Sequence, residues 1–187
     1  MELHDPEHLP YGRVTNPQRY LPVVEAARDL LSRLGQAFDV AVTEDGDSPF
    51  DDRPGLVGTT TIRVEPRSGA PLTFVLTEFP GVLVRAGRWS MEAFPTCGCD
   101  ACDESPEDLI EELHRLAHAV TEGKYEESLG RRRLRWSYWG SWGRRARQRR
   151  LDRRTRKRMG RIGQQRYSGW PRSPLRGADS RPWGDDP

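Results

Sequence analysis

The sequence lacks any long apolar run. None of its 187 residues lies in a stretch of the 18 or so consecutive apolar residues that a membrane-spanning helix requires. The N-terminus, MELHDPEHLP, is acidic and has no apolar core, so it does not predict a signal peptide. Apolar residues make up only 35% of the chain, which is low for a wholly globular protein. We therefore expect a cytoplasmic protein with no membrane partner, in which one folded domain carries an extension.

Motifs of well-known enzymes are also absent. The sequence contains no Ser/His/Asp motif, no P-loop and no glycine-rich dinucleotide fingerprint. Neighbouring acids, Glu111 with Glu112 and Asp51 with Asp52, are typical of solvated surfaces rather than of a catalytic carboxylate pair. The sequence therefore favours a non-enzymatic protein, predicts no catalytic residue and identifies no small-molecule substrate.

Negative charge is scarce in the last third of the chain. Residues 131–187 contain four Asp and no Glu against 19 Lys and Arg, a net charge of +15, whereas residues 1–130 have a net charge of −13. The overall charge of +2 is thus a cancellation between an acidic domain, 1–130, and a basic tail, 131–187. Only two of the 30 basic residues are lysines. A GC-rich genome would produce that bias, so arginine alone does not indicate phosphate recognition.

Two segments show the three- and four-residue apolar spacing of amphipathic helices. In 15–38, Asn16 is a suitable N-cap and Pro17 follows at the first helical position. In 105–123, Ser105 is the predicted N-cap of the second helix.

Strand patterns fill the sequence between these helices, and an acidic loop interrupts them at 45–55. Most of the connections are too short for crossover helices, so we expect an antiparallel meander. The predicted fold class is α+β: an N-terminal helix, the β-meander, a following helix on one face and a basic C-terminal tail. The strand candidates are 38–44, 57–66, 71–79, 81–86 and 88–94.

The basic tail shows little apolar patterning, and its end is rich in Pro, Gly and Ser. We expect it to be disordered or marginally helical. Its cations and interleaved aromatic rings can neutralise phosphates and stack on unpaired bases, which favours weak, non-specific contact with RNA or DNA. A solvated tail, association with the protein's own acidic domain, and anionic lipid are the alternatives. The candidate nucleic-acid residues are Trp139, Trp142, Arg144, Arg145, Arg147, Arg149, Arg150, Arg153 and Arg154.

All three cysteines of the chain, Cys97, Cys99 and Cys102, fall within six residues. Their C-x-C-x-x-C spacing supplies three thiolates for a zinc ion, but the sequence places no fourth ligand. Redox chemistry at Cys99 and Cys102 is the second interpretation, because the helix that follows would lower the pKa of a nearby thiol. A tight turn without chemistry is the third, and it is favoured. We expect the thiols to lie close together without completing a four-ligand site. The cysteine cluster is therefore compatible with zinc, but the sequence predicts no cofactor.

Candidates for a fourth zinc ligand lie near the cysteines but are weaker than a thiolate or a well-placed imidazole. They are His114, His118, Asp100, Asp103 and Glu104.

The segment YGRVTN places Arg13, Thr15 and Asn16 just before a helix start. Anions bind at such positions, but capping alone explains Thr and Asn there and is the favoured interpretation.

Three motifs together resemble a family of uncharacterised actinobacterial proteins, a domain of unknown function. They are YGRVTNPQRY (11–20), PLTFVLTEFPGVLVRAGRW (71–89) and EAFPTCGCDACDE (92–104), and the resemblance spans about residues 10–125. It implies a small bacterial cytoplasmic protein and brings no activity, cofactor or catalytic residue. The tail resembles no family, which suggests a lineage-specific or frame-shifted extension.

Overall fold

The computed structural model describes residues 12–46 and 58–174. Within them, the strand segments between the two predicted helices form one antiparallel sheet. Its strands are β1 (Val40–Gly46), β2 (Gly58–Pro66), β3 (Leu72–Thr77), β4 (Gly81–Ala86) and β5 (Glu92–Phe94). Each strand pairs with the next along the chain, so the predicted meander is confirmed.

Both predicted helices are present and contact each other. A short 3-10 helix (Pro17–Tyr20) leads into α1 (Leu21–Ala37), and α2 (Pro106–Thr121) begins after Ser105. The Ser105 hydroxyl accepts the N–H of Asp108 at 3.3 Å, so the predicted cap is confirmed. No helix of the described residues is long and apolar enough to cross a membrane. The buried residues of the two apolar stripes include Ala27, Leu31, Leu34, Leu109, Leu113, Leu116 and Val120.

A second antiparallel sheet consists of one strand that precedes residue 130 and three strands from the segment 131–187, for which the sequence predicts a disordered or marginally helical tail. Strand β6 (Tyr125–Leu129) is followed by β7 (Arg133–Gly140), β8 (Gly143–Arg150), a short helix α3 (Arg153–Arg158) and β9 (Gly163–Arg166). The strand order is β8-β7-β6-β9. For the described part of the tail, the prediction of disorder is therefore wrong.

The second sheet forms because one face of β7 is apolar. Leu134, Trp136 and Tyr138 alternate with polar residues and are 1%, 8% and 0% exposed. They join the same core as the residues of both long helices and of the first sheet. A segment too polar to bury a core of its own thus folds by contributing one face to a shared core.

Strand pairing crosses residue 130, the proposed boundary between domain and tail. Strand β6, in the acidic part, pairs with β7 on one side and with β9 on the other, and both of these strands belong to the basic part. The two oppositely charged parts of the sequence therefore share one sheet.

The two sheets are joined at a buried carboxylate, that of Glu127, which is 1% exposed. It accepts the backbone N–H groups of Arg88, Trp89 and Ser90, at 2.6, 2.9 and 3.0 Å, and the hydroxyl of Tyr167 at 2.6 Å. The three backbone bonds connect β6 to the turn between β4 and β5, and the bond from Tyr167 connects it to the residue after β9. With these four donors, and the Tyr125 hydroxyl 3.4 Å away, the buried carboxylate is satisfied and acts as a structural link.

Candidate functional site

The three cysteines lie in the loop between β5 and α2, and their sulfurs converge. The Sγ atom of Cys99 is 3.2 Å from that of Cys97 and 3.4 Å from that of Cys102. All three sulfurs lie within 4.8 Å of one another. Cys99 is buried, whereas Cys97 and Cys102 are exposed, and all three are free thiols. The prediction that the thiols lie close together is confirmed.

A tight turn brings the sulfurs together. The backbone N–H groups of Cys102 and Asp103 both approach the carbonyl oxygen of Cys99, at 3.1 and 3.4 Å. Gly98 has a φ of +78°, and a Cβ there would lie 2.7 Å from the ring of Phe79. Only glycine fits this position without displacing the ring. The turn expected from the sequence is therefore also what gathers three potential ligands.

The YGRVTN segment packs against this loop. The N–H of Asp100 donates to the carbonyl of Arg13 at 2.9 Å, and the Asp100 carboxylate accepts the N–H of Thr15 at 3.0 Å. Arg19 pairs with Asp103 at 2.9 Å. The side chain of Asn16, the predicted helix cap, makes no capping hydrogen bond. The ring of Phe79, from the remaining motif, lies beside Gly98 and 5.9 Å from the ring of Tyr20. The structure thus brings together all three motifs on which the family resemblance rests.

Hydrogen bonding divides the charge unequally among the thiols. The backbone N–H of Gly12 and the neighbouring thiols lower the pKa of Cys99 to about 6. Hydrogen bonds with Cys97 and Cys99 raise the pKa of Cys102 to about 12. Of these two thiols, Cys99 therefore loses its proton more readily.

The other predicted ligands do not complete the set. Among the described residues, no His, Asp or Glu joins the three sulfurs in a group close enough to hold one ion. The Glu104 carboxylate accepts the N–H groups of Thr96 and Cys97 instead, at 3.2 and 3.0 Å. On α2, a ring nitrogen of His114 lies 3.3 Å from the guanidinium of Arg33. The nearby carboxylates therefore build the loop, and the described chain offers three thiols as its ligand set.

The predicted nucleic-acid residues fall into two groups. Near the turn of the β7–β8 hairpin, Arg144 pairs with Glu126 at 2.7 Å, and Arg145 pairs with Glu112 at 3.3 Å. Arg147 lies 3.7 Å from Glu112 and 4.0 Å from Glu92. These carboxylates belong to the acidic part of the chain, so association with the protein's own acidic domain holds for this group.

The second group lies at the opposite end of the hairpin. Arg149 and Arg150 are at the end of β8, and Arg153 and Arg154 follow in the first turn of α3. Among the described residues, none of these four has a carboxylate within ion-pair distance. The backbone N–H of Leu151 donates to the carbonyl of Arg132, which brings the start of β7 to the same place.

The aromatic residues of the tail serve mainly the core. Trp136 and Tyr138 are buried, and Trp170 is 5% exposed. Trp142 is half-buried, with its ring centroid 5.9 Å from that of Tyr138, and the half-buried Trp139 has the guanidinium of Arg144 5.6 Å above its ring. Stacking on unpaired bases, predicted from the interleaved aromatic residues, is therefore not available to most of these rings.

A polar cluster around the Tyr138 hydroxyl was not predicted from the sequence. The Tyr138 hydroxyl donates to Glu112 at 2.7 Å and approaches Glu92 at 3.4 Å, and the indole N–H of Trp136 donates to Glu92 at 2.8 Å. Burial raises the pKa of Glu92. The acid that shares the Tyr138 hydroxyl with Glu112 is thus Glu92 on β5 rather than the sequence neighbour Glu111, which pairs with Arg115. No local spacing in the sequence indicates that carboxylates from β5 and α2 meet the same tyrosine.

The other acidic pair, Asp51 with Asp52, lies outside the described residues.

The model of a family of unknown function, DUF6226, matches residues 2–186. The predicted resemblance to a domain of unknown function is therefore confirmed. The match runs through the second sheet, so the tail is part of the family pattern rather than a lineage-specific or frame-shifted extension. Comparison with curated proteins and with solved structures gives no match.

Proposed function

Because the chain belongs to the DUF6226 family, whose function is unknown, we propose a function from its own geometry: it is a non-enzymatic protein that binds one zinc ion. The ligands are Cys97, Cys99 and Cys102. The observation that carries the proposal is the convergence of their three sulfurs within 4.8 Å. The site needs reduced thiols, which supports a cytoplasmic setting.

The spacing of the sulfurs is close to what zinc requires. Zn–S bonds of about 2.3 Å hold the sulfurs of a tetrahedral site about 3.8 Å apart. The observed separations of 3.2 and 3.4 Å are a few tenths of an ångström shorter. Small rotations of the exposed Cys97 and Cys102 side chains would open the cluster to that size. Three soft thiolates favour zinc over magnesium or calcium.

The fourth coordination position would be open to solvent. Since Cys97 and Cys102 are exposed, water or an external ligand can reach an ion held between them. Such a site would differ from a closed structural zinc site, in which the protein supplies all four ligands.

Elemental analysis of protein purified under reducing conditions tests the proposal, and we expect one zinc per chain. Replacement of zinc by Co²⁺ should give the intense sulfur-to-cobalt charge-transfer absorption of thiolate coordination. Cys99→Ser, the substitution of the central ligand, should abolish both signals.

The matched control is Asp103→Asn, which removes the Arg19 partner on the same loop but leaves three thiols. We expect it to retain the metal. Purified wild-type protein that takes up neither zinc nor cobalt would refute the proposal, as would a Cys99→Ser variant that binds zinc as tightly as wild type.

A second candidate function is contact with RNA or DNA through the tail. It is favoured by one observation: the arginines at the far end of the β7–β8 hairpin lack carboxylate partners among the described residues, although those near its turn have them. Binding to nucleic acid that weakens steeply between roughly 50 and 200 mM salt would support it. Absence of binding at the lower salt concentration would refute it.

A further inference from the structure

We infer that the far end of the β7–β8 hairpin is a binding site for the phosphate backbone of double-stranded nucleic acid. This inference rests on the proposed contact with nucleic acid and narrows it to one surface and one form of the polymer. We call the surface the distal arginine patch. Its members are exposed arginines that strand pairing and one turn of α3 bring together: Arg131, Arg132, Arg133, Arg135, Arg150, Arg153 and Arg154.

The strand register places the patch. Arg133 lies directly opposite Arg150, and Arg135 lies opposite Gln148. The Arg133 guanidinium donates to the Gln148 side-chain oxygen at 3.1 Å, which is a neutral partner. Asp152 is the acid nearest in sequence to Arg150 and Arg153. Its carboxylate accepts the N–H and the hydroxyl of Thr155, at 2.8 and 2.7 Å. That carboxylate is therefore committed to capping α3.

The placement of charge argues for an external anion. Like charges directly opposite each other in a sheet destabilise it, and Arg133 and Arg150 form such a pair. Residues 1–130 carry 24 acids, and three of them neutralise Arg144, Arg145 and Arg147 at the turn of the same hairpin. The far end receives no such neutralisation from the described residues. A GC-rich genome would explain arginine in place of lysine, but it would not explain why, among the described residues, only the arginines at one end of the hairpin lack carboxylate partners.

The buried aromatic residues favour a duplex over a single strand. Proteins that bind single strands without sequence preference stack the bases on aromatic side chains. Of the three aromatic residues that share β7 with the patch, Trp136 and Tyr138 face the core. The third, the half-buried Trp139, lies at the turn end of the hairpin, where the guanidinium of Arg144 covers its ring. A duplex keeps its bases stacked and offers phosphates alone, which arginines bind without reading sequence. An anionic membrane surface offers a similar charge, but Ile162 is the one exposed large apolar side chain in the described part of the tail, and a single such side chain provides little apolar area for insertion.

The test uses full-length protein and fluorescence anisotropy with a duplex of about 20 base pairs, a single strand of the same length, and vesicles containing phosphatidylserine. We expect the duplex to bind at least as tightly as the single strand. Arg133→Glu with Arg150→Glu should weaken duplex binding more than tenfold and make the slope of log K against log salt shallower by about two, roughly one unit per phosphate contact. Because both cross-strand partners are changed to the same sign, the repulsion between them is kept, and the thermal unfolding midpoint should change little.

The matched control is Arg28→Glu with Arg67→Glu, which changes the net charge equally at two exposed residues away from the hairpin. It should bind the duplex within threefold of wild type. Binding of neither polymer would refute contact with nucleic acid altogether. Three other results would overturn the assigned site but not contact with nucleic acid itself. They are binding of the single strand alone, duplex binding that the patch substitutions do not weaken, and duplex binding that the control substitutions weaken equally. Binding to the vesicles without binding to the duplex would overturn the assigned duplex site and the contact with nucleic acid, and it would indicate a membrane surface instead.

Discussion

The N–H of Thr15 donates to the Asp100 carboxylate at 3.0 Å and joins two loops that are 85 residues apart in the sequence. Arg13 and Arg19, on either side of Thr15, contact the same cysteine loop through the carbonyl of the first and the guanidinium of the second. The turn that gathers the three thiols is therefore held from outside by the segment that leads into α1. A substitution in either loop should therefore affect the structure of the other loop.

Asp100→Ala should release the Thr15 segment from the cysteine loop. The lost hydrogen bond to a carboxylate contributes about 1 kcal/mol to the free energy of unfolding. Hydrogen exchange should show faster exchange at the Thr15 amide, while the control Asp29→Ala, an exposed position on α1, leaves that rate unchanged. A Thr15 amide that exchanges at the wild-type rate in Asp100→Ala would contradict the link.

Glu127→Gln should destabilise the protein by about 3 kcal/mol, because a buried anion with four donors cannot be replaced by an amide. One carboxylate oxygen accepts from Arg88 and Tyr167, and the other accepts from Trp89 and Ser90. In either orientation of the glutamine side chain, its NH₂ group faces two hydrogen-bond donors and cannot accept from them. Urea unfolding measures the loss in the free energy of unfolding.

Glu126→Gln is the control for that change. Glu126 lies next to Glu127 and pairs with the exposed arginines Arg144 and Arg166. Removing its charge should cost less than about 1 kcal/mol. Equal losses in the two variants would show that Glu127 is no more than another ion-pair partner.

Gly98→Ala should destabilise the cysteine loop by about 2 kcal/mol, because alanine is strained at a φ of +78° and its Cβ would meet the Phe79 ring. Gly143→Ala is the control, since Gly143 also has a positive φ but no atom within 4 Å of the added Cβ. It should cost only the backbone strain, about 1 kcal/mol. Urea unfolding of the two variants separates the effect of contact with the Phe79 ring from the effect of backbone strain. Equal losses in the free energy of unfolding would exclude a role for the Phe79 ring.

Local patterns predicted the first sheet and both long helices. The apolar spacing of residues such as Leu109, Leu113 and Leu116 and the cap at Ser105 depend on neighbours within one or two turns, so the sequence shows them directly. The clustering of the thiols followed in the same way, because all three cysteines fall within six residues.

The second sheet and the full surroundings of the thiols depend on contacts that sequence spacing does not show. The alternation of Leu134, Trp136 and Tyr138 is present in the sequence, but arginines surround it, and its pairing with β6 and β8 is not visible in the local pattern. Likewise, Thr15 resembles a helix cap until Asp100 is placed next to it. The arginines of the tail were predicted as one group because charge patterning gives no information about which of them meet carboxylates.

The raised pKa of Glu92 predicts a pH dependence of stability. Because burial raises its pKa in the folded state above the ordinary value of 4.5, the folded protein binds the proton more tightly than the unfolded chain. The stability of wild type relative to Glu92→Gln should therefore rise as the pH falls from neutral through the folded pKa towards 4.5, and level off below 4.5. Glu111→Gln, which removes a carboxylate at an exposed position of α2, is the control for the loss of one acid. Urea unfolding between pH 4 and pH 8 measures it, and a relative stability that falls with decreasing pH would contradict burial as the dominant cause.

Residues 131–174 should prove necessary for folding of the acidic part, although charge divides the sequence at residue 130. Trp170 is 5% exposed, donates its indole N–H to the carbonyl of Ala70 at 2.9 Å and meets the ring of Phe38 edge to face at 5.5 Å. A fragment of residues 1–130 would lose this ring and both neighbours of β6. We expect it to lack a cooperative thermal transition, whereas limited trypsin digestion of the full chain should spare the hairpin despite its many arginines. In the full chain, Trp170→Ala should cost about 3 kcal/mol or more, and Trp139→Ala, at a half-buried position, clearly less. A fragment 1–130 that unfolds cooperatively would establish the charge boundary as a true domain boundary.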